Sequence, residues 1–450
     1  MQYSEKVDDM LVLFCNGLEF SFTDMEDNPE IIKSFGYADK DQIHGMIVFG
    51  KNGMNALVKL PGEIELKLVT KLVVVGYPMI ISIPENTIIK GSKKRYNRQS
   101  FLGKDAQLIF SQIKVGIFGL GGGGSHIIQQ LAHLGIKNYV LYDFDTVDET
   151  NLNRMIGACL NDVKNVSKKT IVAENLIRQL HEDANINIVN DNWTNAPEFL
   201  QECDIVFGCV DSYLGRRDIE SECRRYLIPY IDIGMDVYDE FRNEAPNLVG
   251  QIILSMPGDH CMHCMGFLTE QNLAKEAAKY GAVGGRPQVV WSNGVLASQA
   301  VGVFVDLVTG WSGIKEITSY YSFDGNKGIL TPHPRLKYLN KICSHFEING
   351  IGTLSRGVNY VGITVSFVLP PLGAEIITVG GALGTASAIG NVGLDLYERD
   401  YKGVAVNIGA QLLNRYTGTV INKDVDGLIK SVSKGASSEG MDQIKDNFYE

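Results

Sequence analysis

The first ninety residues alternate short apolar runs with polar turns, at 10–14, 46–49, 71–75 and 79–83. Runs of that length bounded by turn residues predict strands, and the stretch 1–92 predicts a small β-rich or α+β domain. A basic segment, 90–98, leads out of it. From Lys114 the pattern changes. An apolar strand at 115–118 runs into a glycine-rich turn, Gly119 to Gly124, and then into helical spacing over 127–134. Residues 139–142 predict a second strand, 168–180 a helix, and 186–189 and 204–210 further strands. Later strands are predicted at 249–255, 315–323 and 328–330, and a mostly buried helix at 289–307. Strands alternating with helices predict an α/β domain over 93–346, built on a doubly wound, mostly parallel, Rossmann-like sheet. Past residue 346 lies a C-terminal extension, 347–450. Its stretch 361–394 is rich in Gly, Ala, Val and Ile and reads as a packed helical segment, and a polar, loosely ordered tail follows from 422.

Composition narrows the class. The chain has 450 residues, 45% of them hydrophobic and 21% charged, as in ordinary globular proteins. It carries 52 acidic against 41 basic residues, a net charge of -11. That balance excludes bulk nucleic-acid binding, which needs a basic face to displace counterions from phosphates. Eight cysteines are scattered without a disulfide-like framework. The start, 1–9, is polar and lacks a basic region followed by an apolar one, so a cytoplasmic protein with reduced thiols is expected. Pro370, Pro371 and Glu375 interrupt the apolar run of the extension. A membrane span needs ~20 uninterrupted apolar residues, so none is expected there.

The chemistry starts at Gly119-Leu-Gly121-Gly122-Gly123-Gly124-Ser125. Glycines between a strand and a helix let the backbone approach phosphates, and the helix N-terminus offers free N–H groups. Gly119, Gly121 and Gly124 also fit the dinucleotide fingerprint, and Asp143 ends the next strand where a ribose-binding acid belongs. An NAD-dependent oxidoreductase is therefore the alternative reading. A dehydrogenase, however, needs no cluster such as Asp143, Asp145, Asn151, Arg154, Lys168 and Asp211. Splitting ATP between its α- and β-phosphates does. Cationic side chains stabilise the charge on the α-phosphoryl oxygens and the leaving pyrophosphate, and a carboxylate can hold Mg²⁺.

Taken in order, Arg95-Tyr-Asn-Arg98-Gln99, the glycine loop, Asp143-x-Asp145, Asn151-x-x-Arg154, Lys168 and Asp211 resemble the motifs of the ThiF/MoeB/HesA adenylyltransferases, relatives of the ubiquitin-activating enzymes. The resemblance covers roughly 93–346. It implies ATP-dependent adenylation of the C-terminal carboxylate of a small ubiquitin-like protein or peptide, in a homodimer. It implies that Gly121, Gly122 and Gly124, within the loop from Gly119 to Ser125, carry the phosphates. Asp143, with Asp145 beside it, would hold the ribose. Asn151, Arg154 and Lys168 would contact the phosphates, Asp211 would bind Mg²⁺, and Arg98 would reach the nucleotide, in many members from the partner subunit. Two positions depart from the pattern. Ser167-Lys168-Lys169-Thr170 stands where Gly-Lys-x-Lys is usual, which leaves Lys169 as an alternative. Met155 replaces a glutamine. A small domain ahead of the first motif also resembles the microcin-activating MccB type, which implies a peptide held there.

Cys261-Met-His-Cys264 follows a turn, and its spacing suits two thiolates on one Zn²⁺. Cys343 and His345 are the later candidates, with His260 and His263 as alternatives. The resemblance implies a second ligand pair in this place, so a structural site of Cys261, Cys264, Cys343 and His345 is expected. Relatives that form thioesters carry a nucleophilic cysteine between the Cys-x-x-Cys and the following helix. Residues 265–290 here contain none. Adenylation without a thioester step is the expectation. A non-catalytic scaffold that docks a ubiquitin-like protein is the remaining alternative.

Overall fold

The structure, a computed structural model, describes residues 3–7, 10–14, 44–49, 54–59, 66–69, 71–83, 94–238, 245–278, 287–314, 316–339, 343, 345–346, 362–367 and 377–379. The chain divides into two compact units. One comprises 1–69, 350–358 and 382–450, the other 70–349 and 359–381.

In the first unit the described residues form one sheet, in the order β1 (Tyr3–Val7), β2 (Met10–Phe14), β3 (His44–Phe49), β4 (Met54–Lys59) and β5 (Leu66–Leu68). Neighbours are antiparallel except β2 and β3, which run parallel.

The second unit opens with a hairpin, β6 (Leu72–Val75) and β7 (Ile80–Ser82). Val73, Val75 and Met79 of this hairpin are buried, and the Met79 N–H donates to the Leu307 carbonyl at 2.7 Å. The main sheet follows, from β8 (Lys114–Phe118), β9 (Asn138–Tyr142), β10 (Asn185–Val189), β11 (Ile205–Gly208), β12 (Tyr230–Tyr238), β13 (Asn247–Ser255), β14 (Tyr320–Asp324) and β15 (Ile329–Pro332). Their order across the sheet is β10-β9-β8-β11-β12-β13-β14-β15. The first five are parallel, and β13 to β15 add on antiparallel. Helices α1 (Ala106–Gln112), α2 (Gly122–Leu134), α3 (Leu160–Lys164), α4 (Lys169–Arg178), α5 (Glu198–Gln201), α6 (Tyr213–Arg225), α7 (Glu270–Ala278) and α8 (Val290–Thr309) connect the strands. This is the doubly wound α/β sheet expected from the pattern.

Parallel strands are covered on both faces and read as continuous apolar runs. Val115, Ile117, Phe118, Ile205, Val206 and Phe207 are all buried accordingly. On α8, Leu296, Ala300, Phe304 and Leu307 recur at helical spacing and are buried. The Phe304 ring lies 6.2 Å from Phe110 and 5.8 Å from Phe207, which fastens α8 to α1 and to the sheet. The strand β12 is absent from the pattern-based reading. Asp232, Gly234 and Asp236 interrupt its apolar run, and Asp232 is nevertheless fully buried.

In the extension the described residues are strands, β16 (Gly362–Phe367) and β17 (Ile377–Val379), in a sheet ordered β17-β16-β6-β7. The expected helical segment is therefore extended at these positions. The β-branched Ile363, Thr364 and Val365 favour the pleated backbone. The rest of 347–450, including the polar tail from 422, lies outside the described residues apart from these strands. No helix among the described residues is long and apolar enough to cross a membrane.

Candidate functional site

The strand order reverses between β8 and β11. In open α/β sheets, ligands bind outside the carboxyl ends of the strands at such a switch point. Two loops meet there, one joining β8 to α2 and the other joining β11 to α6. The Cys209 N–H donates to the Phe118 carbonyl at 2.8 Å. Gly119 has a φ of +85°, and a Cβ on it would lie 2.6 Å from the Cys209 carbonyl oxygen. Gly124, in the first turn of α2, backs onto the same loop, where its Cβ would lie 2.0 Å from the Gly119 carbonyl oxygen. Gly124→Ala therefore has to force the turn open. We expect a loss of about 1–3 kcal/mol, read as a fall in Tm of roughly 5 °C in a thermal melt; an unchanged Tm would mean that the turn relaxes freely. A Cβ on Gly121, by contrast, would meet nothing within 4 Å. The open side of the loop is therefore at Gly121.

Asp143, just past β9, pins this loop. Its Oδ2 accepts the Leu120 N–H at 2.7 Å and its Oδ1 accepts the Asp145 N–H at 2.9 Å. Burial raises the Asp143 carboxyl above its usual range, and the charge of Lys169 and these two N–H bonds oppose the rise. Asp145 pairs with Lys169 at 2.7 Å, whereas the Lys168 ammonium donates to the neutral Phe144 carbonyl at 2.6 Å. Of the two lysines, Lys169 has its charge matched by a carboxylate.

Asn151 and Arg154 share the next loop. Asn151 is buried, and its Oδ1 accepts the Asp148 N–H at 3.1 Å. Arg154 Nη1 donates to the Thr150 carbonyl and, at 3.2 Å, to Asn153 Oδ1. Ser125 is buried; its hydroxyl donates to the Gly122 carbonyl at 3.0 Å and accepts the Ile156 N–H at 2.9 Å. It thus ties α2 to the loop of Asn151 and Arg154. Met155 packs against Val147 and Val172 in a small apolar cluster, which accounts for an apolar residue in place of glutamine.

Asp211 follows β11, is exposed, and accepts from Gln288 Nε2 at 3.3 Å. An acid here could serve as a helix cap, but the cap of α6 is Ser212, whose Oγ accepts the Gly215 N–H at 2.9 Å. Arg98 stands apart from this group. It is exposed in the turn Asn97–Leu102, and the neighbouring Gln99 donates to the Leu134 carbonyl at 2.9 Å. Leu134 ends α2, about 18 Å along the helix from the glycine loop.

Several residues at this site escaped the sequence reading. Asn293, on the first turn of α8, points its Nδ2 at Gly122, where a Cβ would lie 2.3 Å away. Asn293 Nδ2 and the Ser292 hydroxyl are buried and have no hydrogen-bond partner among the described residues. Polar residues inside an apolar helical run were the available signal. Beneath Asp211, Arg216 pairs with Asp232 at 3.1 Å, and the Tyr230 hydroxyl donates to Asp232 at 2.9 Å. Burial pushes the Asp232 carboxyl up to about 6 against the pull of Arg216.

A second centre lies at the turn after β13. Cys261, Cys264, Cys343 and His345 converge, with one ligand atom from each lying within 4.8 Å of all the others. Cys264 Sγ is 3.6 Å from Cys343 Sγ and 3.3 Å from His345 Nδ1, and Cys261 Sγ is 3.6 Å from the same nitrogen. Tetrahedral ligands about 2.0–2.3 Å from an ion stand roughly 3.3–3.8 Å apart, and these three separations suit one ion. His263 stacks on His345 with ring centroids 5.1 Å apart, and His260 Nδ1 lies 2.7 Å from Asp259 Oδ1. Neither belongs to the converging set. Among the other described cysteines, Cys203, Cys209 and Cys223 have their thiols raised by burial. Cys159 is exposed and donates to Asp162 Oδ2 at 3.0 Å.

The chain is similar to the molybdopterin-synthase adenylyltransferase of Haemophilus influenzae, 33% identical over 142 residues that make up 30% of this chain and 58% of that protein. It is similar to the tRNA threonylcarbamoyladenosine dehydratase of Escherichia coli, 32% identical over 135 residues, 29% of this chain and 50% of the relative. Similarity to the SAMP-activating enzyme E1 of Haloferax volcanii is 26% over 218 residues, 47% of this chain and 76% of the relative. The chain spans about half the length of the first two of these relatives, 58% and 50%. Among solved structures, E. coli MccB with ATP superposes with a TM-score of 0.44 at 21% identity, covering 54% of this chain and 73% of that one. Residues 94–345 match the ThiF family, more than half of the chain, and the chain belongs to that family.

Proposed function

We propose that this chain uses ATP and Mg²⁺ to adenylate the C-terminal carboxylate of a small ubiquitin-like protein or peptide. The observation that carries the reading is the meeting, at one switch point, of an open glycine loop, the acid Asp143 that pins it and the exposed acid Asp211 at the end of β11. Two of the three relatives named above, an adenylyltransferase and an activating enzyme, support this reading; the third is a dehydratase. In the reaction, a carboxylate oxygen attacks the α-phosphorus. The bond from that phosphorus to the bridging oxygen breaks, and its electron pair leaves with pyrophosphate. No proton needs to move. The loop from Gly119 through Gly121, Gly122 and Gly124 carries the phosphates. Asp143 and Asp145 sit where the ribose hydroxyls belong, and Ser125 holds the neighbouring loop in place. Asn151, Arg154 and Lys168 meet the phosphate charge. Asp211 holds Mg²⁺, which when bound neutralises charge on the phosphates. The distance of the Arg98 segment from the loop favours Arg98 entering from a second copy, as in a homodimer. Cys261, Cys264, Cys343 and His345 hold a structural zinc ion. Residues 1–92 are the candidate substrate-holding domain, and the cytoplasm is the compartment that suits the free thiols.

The product stays an acyl adenylate until an amine or a separate thiol protein takes it. A thioester needs an exposed thiolate near positive charge. Cys223 lies beside Arg224 and Arg225 but is fully buried, and 265–290 contain no cysteine. Incubation with ATP, Mg²⁺ and a candidate partner ending in a free carboxylate should give an adenylated partner by intact mass and no reductant-sensitive adduct on this chain. A reductant-sensitive adduct, with Cys159 the first residue to check, would make it a full thioester-forming activator.

A further inference from the structure

Two charged residues on α6 point away from the nucleotide site. Glu220 is fully buried and Arg224 is 7% exposed. Glu220 Oε1 accepts the Met262 N–H at 2.8 Å, and the Ser255 hydroxyl donates to it at 2.5 Å. Arg224 Nε donates to the same Ser255 hydroxyl at 2.9 Å, so the three side chains form one connected set. The rest of the guanidinium fork goes to backbone. Nη1 donates to the Asp259 carbonyl at 3.0 Å and Nη2 to the His260 carbonyl at 2.8 Å. The guanidinium also stands 5.1 Å over the ring of Phe346.

Those partners are the immediate surroundings of the four metal-ligand candidates. Asp259 and His260 precede Cys261, Met262 lies between Cys261 and Cys264, and Phe346 follows His345. An ion pair that merely packed α6 on β13 would end its hydrogen bonds on those two elements. Here three of them end on the backbone of 259, 260 and 262. Burying two charges is costly unless their hydrogen bonds are met; the loop takes both Nη groups of Arg224 and supplies one donor to Glu220 Oε1, while Glu220 Oε2 is buried with no partner among the described residues. A loop held from outside keeps its two thiols aimed inward without spending binding energy on ordering itself. Because Arg224 touches both the 259–260 turn and Phe346, it also brings the two halves of the ligand set together.

We propose that Glu220 and Arg224 are positioning residues of the metal centre, a clamp on α6 that shapes the loop so that Cys261, Cys264, Cys343 and His345 converge on a zinc ion. The inference rests on the reading that these four residues bind metal. The test uses the full chain and zinc itself, with affinity and release rate measured against a chromogenic chelator, and with melts of the metal-stripped proteins alongside. The wild type is measured first; if it binds no zinc, the metal reading fails and the clamp with it. If it binds, Glu220→Ala and Arg224→Ala should lose roughly 10–100-fold in zinc affinity. Glu220→Gln keeps the acceptor for Met262 and Ser255 and should lose much less. Arg224→Lys keeps the charge but not the fork, and should behave like the alanine variant. Zinc binding as tight as wild type in Glu220→Ala and Arg224→Ala overturns the clamp, even if their stripped forms melt lower. Loss in Glu220→Gln equal to that in Glu220→Ala also overturns it, because charge rather than positioning would then be the cause. Should Glu220→Ala not fold, Arg224→Lys decides in the same way.

Discussion

Asp211→Ala will abolish ATP–pyrophosphate exchange while leaving the fold intact. Asp211 is exposed at the end of β11, and surface substitutions of this kind change stability by only about 0.5 kcal/mol. Ser212, not Asp211, caps α6, so no cap is lost. What the alanine removes is the carboxylate at the switch point beside the glycine loop. Removing one charge-stabilising group from a preorganised site typically costs about 10²–10³ in rate, and loss of a metal-holding acid belongs at or beyond that range. Arg154→Ala should follow in the same direction, because the proposed reaction has Arg154 meet the phosphate charge. The measurement is exchange of labelled pyrophosphate into ATP, with circular dichroism melts as the control for folding. Exchange retained in a folded Asp211→Ala protein would move the Mg²⁺ site elsewhere, with Asp145 the next acid to test.

The second large effect is expected at the metal centre. Freshly purified, reduced protein should carry zinc at about one equivalent per chain, and Cys343→Ser should lose it. The three thiols and His345 come from two separate segments of the chain, at 261–264 and 343–345. Without an ion, weak thiol contacts and the bridge through Arg224 join them there, and thiolates drawn together repel. Removing a structural metal withdraws binding energy that is also folding energy. We expect the Tm to drop by more than about 5 °C, corresponding to a loss of at least ~2 kcal/mol. The same drop should follow from stripping the wild type with a chelator, and zinc addition should reverse it there but not in the variant. A Cys343→Ser protein with full zinc content and an unshifted Tm would put the second half of the site elsewhere.

How far the sequence carried these expectations depended on what each element had to bury. Strands such as β8 and β11 are covered on both faces, so their apolar runs declared them. The glycine loop was legible because no side chain fits at Gly119 or Gly124. The convergence of Cys261, Cys264, Cys343 and His345 was legible from spacing together with family resemblance. β12 was not, because a buried ion pair breaks its pattern: Asp232 reads as a turn residue until Arg216 is seen 3.1 Å away. Asn293, Ser292, Glu220 and Arg224 were missed for a related reason. Each is a polar group whose partner, or whose lack of one, is set by an element distant in sequence, and no local period encodes that. The extension misled in the opposite sense. Its glycines and alanines suggested helix, while Gly362, Ile363 and Thr364 pair with β6 and Val365 pairs with β17.

The central claim, that this chain activates a carboxylate with ATP, is tested most directly by pyrophosphate exchange in the wild-type protein. Labelled pyrophosphate, ATP and Mg²⁺ are supplied with small candidate proteins or peptides ending in a free carboxylate, and binding of ATP and of NADH is titrated in parallel. The account predicts ATP binding, and label entering ATP only when a genuine carboxylate partner is present. Binding of NADH without binding of ATP, or ATP binding with no exchange for any partner that demonstrably docks, would contradict it.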